Sequence, residues 1–129
     1  MVAGAKQLPD HLPPAVLVVE DLPLLRMAAV ELVVEQGFIA LEACNADEAV
    51  AVLERRPDIR VMFTDVDMPG SMDGLTLAAC VRDRWPPIRI IVTSGHASPA
   101  AADLPAGSRF FAKPYGRNAV AEALRAMAG

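Results

Sequence analysis

Two kinds of apolar segment alternate along this chain. Strand-length runs, dense in valine, isoleucine and phenylalanine, fall at residues 16–20, 39–43, 61–64, 88–92 and 109–112. Near-continuous runs of this length mark strands covered on both faces, as in a parallel sheet. Between them, apolar residues recur at helical spacing. Leu24, Leu25, Ala28, Leu32 and Val33 mark a first helix, with Asp21 or Leu22 near its cap, Pro23 in its first turn and Gly37 at its end. Asn45 is a good N-cap for a second helix over 46–55, which Pro57 stops. Asp73 caps a third over 75–84, which Trp85-Pro86-Pro87 ends. Ala119, Val120, Ala123, Leu124 and Met127 form the stripe of a last helix over 117–127. Residues 67–74 read as a loop, and residues 97–107, with Pro99, Pro105 and Gly107, leave room for at most two helical turns.

Strands alternating with helices, joined by right-handed crossovers, give an α/β fold with a doubly wound five-stranded parallel sheet. The 129 residues are one domain's worth of chain, preceded by a loose, proline-containing tail over 1–14, with the folded part over 15–129. With 53% hydrophobic and 22% charged residues the composition is globular. A net charge of −4 without a basic patch argues against nucleic-acid binding. No apolar run approaches the roughly 20 residues of a membrane helix, and no signal-peptide pattern opens the chain. Cys44 and Cys80 stand apart without metal-ligand spacing, and are expected to be buried thiols in a reducing cytoplasm.

The chemistry concentrates where strands end. Glu20 and Asp21 close the first, Asp65 the third, Thr93 the fourth and Lys113-Pro114 the fifth. In an open α/β sheet the carboxyl ends of the strands line the ligand crevice, so these side chains should meet. Taken singly, each is an ordinary strand-end, capping or turn residue; their joint placement carries the reading. A carboxylate such as Asp65 attacks phosphorus only if developing charge is neutralised and the reactants are aligned. Mg²⁺ held by the carboxylates would do that, with the Lys113 ammonium supplying further positive charge and the Thr93 hydroxyl a hydrogen bond to a phosphoryl oxygen.

These residues resemble the receiver domain of two-component response regulators, over about residues 15–128. The resemblance rests on Glu20-Asp21, on Asp65 followed by Met68-Pro69 and Met72-Asp73-Gly74, on Thr93 and on Lys113-Pro114. It implies a flavodoxin-like sheet of strand order 2-1-3-4-5 with helices on both faces, and a cis Lys-Pro bond. It also implies a phosphoacceptor at Asp65, assisted by Lys113 and Thr93. Mg²⁺ would be held by Glu20, Asp21, Asp65 and the backbone carbonyl of Asp67. The phosphodonor would be a histidine kinase or a histidine phosphotransfer protein. Phe110, three positions before the lysine, would turn inward with Thr93 as a switch, while Phe111 faces the other side of the sheet.

Some positions depart from the family pattern. The loop after Asp65 is one residue longer than the commonest form, and the 97–107 segment is short and proline-interrupted. That segment belongs to the face by which receivers usually signal, and it is expected to become ordered on phosphorylation. Asp67 adds a carboxylate beside the site, and His96 lies just beyond Thr93. The favoured expectation is a single-domain cytoplasmic regulator acting through an unidentified output protein, a phospho-accepting switch and not an enzyme acting on other substrates. A receiver cut from a hybrid kinase would look similar. Asp65-Val66-Asp67 also fits the nucleophile and general acid of a haloacid-dehalogenase-type phosphatase, but there the motif opens the chain and the acidic pair follows the lysine. A non-phosphorylated interaction module would not need the full set of reactive residues.

Overall fold

The computed structural model describes residues 13–95 and 104–128. Five parallel strands, β1 (Ala15–Val19), β2 (Ile39–Ala43), β3 (Ile59–Asp65), β4 (Arg89–Ser94) and β5 (Arg109–Ala112), form one sheet of order β2-β1-β3-β4-β5. The described helices are α1 (Pro23–Glu35), α2 (Ala46–Arg55), α3 (Gly74–Arg84) and α4 (Arg117–Ala128). The doubly wound architecture and strand order match expectation.

The pleat divides the apolar residues between two cores. Leu17, Met62, Val92 and the α3 residues Leu77 and Val81 pack with α2 on one face. Val16, Val18, Ile91 and the helical Leu32 and Leu124 pack on the other. Adjacent strand residues therefore serve opposite layers, as period-2 geometry requires. Phe110 and Phe111 divide in the same way.

The caps follow the sequence reading. Asn45 Oδ1 accepts from the Glu48 amide at 2.8 Å, and Asp73 Oδ1 from the Thr76 amide at 2.9 Å. Leu22 is the N-cap of α1, with Pro23 opening the helix. Gly37, at φ 90°, follows the C-cap Gln36 in the left-handed region that glycine adopts without a Cβ penalty.

Boundaries moved where backbone pairing outruns side-chain pattern. β1 stops at Val19, leaving Glu20 just beyond it. β3 gains Ile59, Arg60 and Asp65, and β4 runs on through Thr93 and Ser94, which pair in register with Phe111 and Ala112. A ladder includes polar residues that an apolar run does not.

The predicted apolar face of α1 needs correcting. Ala29, Leu32 and Val33 are its buried residues, whereas Ala28 is exposed, Leu24 is 79% exposed and Leu25 42%. The helix is apolar almost all round, so periodicity did not select a face, and its first turn starts at the sheet's carboxyl edge with little beneath it. Cys44 and Cys80 are half-buried, not buried. The short helix expected within 97–107, the N-terminal tail and His96 lie largely or wholly outside the described residues. Residues 105–108 form a turn, with the Ser108 amide donating to the Pro105 carbonyl at 3.0 Å.

Candidate functional site

Parallel register delivers the strand-end residues to one edge. Asp65 is the last residue of β3 and lies opposite Thr93 of β4. Glu20 follows β1, which pairs with β3 through Val19 and Thr64. The Lys113 amide donates to the Ser94 carbonyl at 2.9 Å, which holds the residue after β5 against the end of β4. The Lys113-Pro114 bond is cis.

Carboxylate oxygens of Glu20, Asp21 and Asp65 all lie within 4.8 Å of one another. The Lys113 ammonium donates to Glu20 Oε1 at 3.0 Å and stands 3.1 Å from Asp65 Oδ1. The second contact is an ion pair, and Asp65 Oδ1 is buried with no hydrogen-bond partner among the described residues. Thr93 is 3% exposed. The structure brings these five residues together at one edge of the sheet.

Burial shapes the charges. Glu20 is pushed above its ordinary carboxyl value, chiefly by desolvation and further by the Asp65 charge, against the opposing pull of Lys113. Desolvation works to lower the Lys113 ammonium, but its contacts with Glu20 and Asp65 outweigh that and raise it. Three carboxylates facing one ammonium leave an excess of negative charge. Oxygen donors crowded so closely, one of them buried without a hydrogen bond, fit a hard divalent cation such as Mg²⁺.

Several neighbours were not legible beforehand. Arg26 reaches back from α1 to donate to the Glu20 carbonyl at 2.9 Å and pairs with Glu42 at 3.1 Å. Ser94 Oγ donates to Asp67 Oδ2 at 2.9 Å, bridging the β4 end to the loop after β3. A Cβ on Gly74 would stand 1.9 Å from the Asp65 carbonyl oxygen, so α3 begins directly on that peptide. Tyr115 stacks obliquely on Phe63, ring centroids 5.7 Å apart. Beside the carboxylates a cavity of about 460 Å³ opens between α1 and the β5–α4 connection, lined by Leu25, Ala28, Phe63 and Tyr115 among others. Position Phe110 is half-buried against the α2–α3 core. The only signals for these neighbours were Gly74 and Tyr115 beside residues already singled out.

Residues 16–125 match the response regulator receiver domain family. The chain belongs to this family. Receiver domains are phospho-accepting signalling switches of two-component systems, receive phosphate from histidine kinases and bind Mg²⁺ at an acidic pocket. The receiver is 34% identical over 116 residues to the sensor kinase CckA of Brucella abortus, covering 87% of this chain and 12% of that protein. It is 30% identical over 105 residues to the nitrogen assimilation regulatory protein NtrX of Azorhizobium caulinodans, covering 78% and 23% respectively. The chain thus spans less than a quarter of either relative. Among solved structures, a response regulator receiver protein from Pseudomonas putida superposes with a TM-score of 0.79 at 30% identity, covering 88% of this chain and 97% of that one. The receiver domain of the hybrid histidine kinase CckA gives 0.75 at 28% identity, covering 89% and 99%. The described helices include none long and apolar enough to cross a membrane.

Proposed function

We propose that this receiver accepts a phosphoryl group on Asp65 from a phosphohistidine of a kinase or phosphotransfer protein, and signals through a separate output protein. The observation that carries this is Asp65 Oδ1: buried, 3.1 Å from the Lys113 ammonium, and without a hydrogen bond. A carboxylate oxygen so placed is charge-compensated yet keeps its lone pairs for phosphorus. In the transfer, an Asp65 oxygen forms the new P–O bond as the P–N bond breaks, and the imidazole departs with that electron pair. Lys113 offsets charge on the phosphoryl oxygens. Thr93, opposite Asp65 in register, offers a hydroxyl to one of them. Glu20, Asp21 and Asp65, with the Asp67 carbonyl, would hold Mg²⁺, which screens the incoming phosphoryl charge and aligns it. Phe110 would follow Thr93 inward as the switch, biasing an equilibrium between two conformations.

Acetyl phosphate with Mg²⁺ should label the wild type and leave Asp65→Asn unlabelled. Label on Asp65→Asn at the wild-type rate would refute the assignment. Substantial turnover of p-nitrophenyl phosphate would instead favour the phosphatase reading.

A further inference from the structure

The loop joining β3 to α3 is anchored in a way that the phosphoacceptor reading does not use. Its two ends are both fixed beside Asp65. The Val66 amide donates to the Thr93 carbonyl at 2.8 Å, the Gly74 amide to the Val66 carbonyl at 3.0 Å, and Gly74 abuts the Asp65 carbonyl so closely that no Cβ fits. Its entry arm crosses from β3 to β4 through the Ser94–Asp67 hydrogen bond. With its base pinned, the loop responds to events at Asp65 chiefly at its apex, Gly70-Ser71. Gly70 takes φ 112°, and a Cβ there would meet nothing within 4 Å, so backbone conformation and not crowding fixes the apex. Among the described residues, the apex makes one side-chain hydrogen bond to another element. Ser71 Oγ donates to Asp47 Oδ1, in the first turn of α2, at 2.7 Å. Met68 and Met72 supply only apolar packing against the α2–α3 core.

We propose that Ser71 and Asp47 form a latch that fixes the apex of this loop and makes the first turn of α2 part of the switch. Both are positioning residues, acting through the loop and touching no reacting atom. The proposal rests on phosphoryl acceptance at Asp65. Closed, the latch steadies the loop whose pinned base frames the Asp65 peptide, and so limits the access of water to a phosphoryl group there. Hydrolysis of the acyl phosphate has water attack phosphorus, breaking the bond to Asp65 and releasing phosphate and the free carboxylate. Opening the latch lets the apex lean away and quickens that step. Because the tether ends on Asp47, loop movement also reaches α2.

The test uses the full chain, with amide shifts induced by Mg²⁺ and beryllofluoride compared within each variant. In the wild type, shifts should appear at Val66 and Thr93 and also at Asp47 and Glu48. In Ser71→Ala the first pair should persist and the second vanish. The acyl-phosphate half-life should shorten by a factor of about three, the effect expected of one exposed hydrogen bond. Ser71→Thr should restore both readouts. Asp47→Asn keeps an acceptor oxygen and should behave as wild type, while Asp47→Ala should match Ser71→Ala. Adding Ser71→Ala to Asp47→Ala should change nothing more. Induced shifts at Asp47 that survive Ser71→Ala, or an unchanged half-life, overturn the latch. Shifts at Val66 and Thr93 with none at Asp47 and Glu48 in the wild type overturn it alone. No shift at Val66 or Thr93 overturns the phosphoacceptor reading and the latch with it.

Discussion

A glycine and a tyrosine at this site make claims that single substitutions can measure. Gly74 starts α3 on the peptide of Asp65, where an added Cβ would stand 1.9 Å from one backbone oxygen and 2.8 Å from the Val66 Cα. Backbone, unlike a flexible side-chain end, cannot yield cheaply. Gly74→Ala should therefore cost about 3 kcal/mol, the upper end for overpacking, in urea unfolding, and should slow labelling by acetyl phosphate by displacing Asp65. Full stability with full labelling would show that the contact relaxes freely. Tyr115 is the sole tyrosine, so its phenol can be titrated by absorbance without ambiguity. Desolvation raises it above its ordinary value of 10.0, ahead of a small contribution from Glu20 and against Lys113 and Arg117. A folded value raised in this way favours the neutral phenol in the fold. The corresponding stability is complete below the unfolded value and is lost as pH rises through the folded one. Alkaline titration of the native protein should show ionisation above 10.0, returning to the ordinary range in denaturant. Native ionisation at or below that value would place the ring in water.

At the scale of elements, α1 is where sequence and structure part, and the reason is informative. Its exposed face carries Leu24 and Met27, 79% and 62% exposed, with Leu25 turning toward the cavity beside Asp65. Apolar residues that the core does not use, beside a crevice that must receive a phosphohistidine, fit a docking face for the phosphodonor. Leu24→Ser and Met27→Ser should leave stability within about 0.5 kcal/mol, as exposed positions do. They should leave labelling by acetyl phosphate unchanged and slow transfer from the cognate histidine donor. Equal transfer rates in wild type and variants would move the docking face elsewhere. The periodic signal failed on α1 because almost every position was apolar. It did better on α4, where Val120, Ala123 and Leu124 of the expected stripe are buried and Met127 is half-buried, although Ala119 is exposed. Glu20, Asp21, Asp65, Thr93 and Lys113 were legible for a different reason: they sit at strand ends, and parallel topology alone sends strand ends to one edge. Ser71–Asp47 and Ser94–Asp67 were not legible, since hydroxyl partners 24 and 27 residues away depend on loop paths that no local pattern encodes.

For the whole molecule, the site is a source of strain as well as of function. Glu20, Asp21 and Asp65 converge where Lys113 is the one ammonium among the described residues that pairs with any of them, in a protein whose net charge is already −4. Folding without a cation thus brings Asp65 against Glu20 and Asp21, from which the unfolded chain keeps it apart; Glu20 is pushed upward chiefly by burial, and the Asp65 charge adds to it. A divalent cation that binds the folded state alone should repay it by mass action, raising the melting temperature with concentration. Asp21 is the half-buried member of the trio, the other two being buried, and makes the cleanest probe. Asp21→Ala should melt above the wild type in EDTA, because one repelling charge has gone. Adding Mg²⁺ should lift the wild type and leave the variant almost unmoved, so that the gap between the two melting curves narrows or reverses. Ca²⁺ at equal concentration should lift the wild type less if the compact trio suits the smaller ion. A wild type indifferent to Mg²⁺, or a variant that responds equally, would separate the acidic cluster from metal binding.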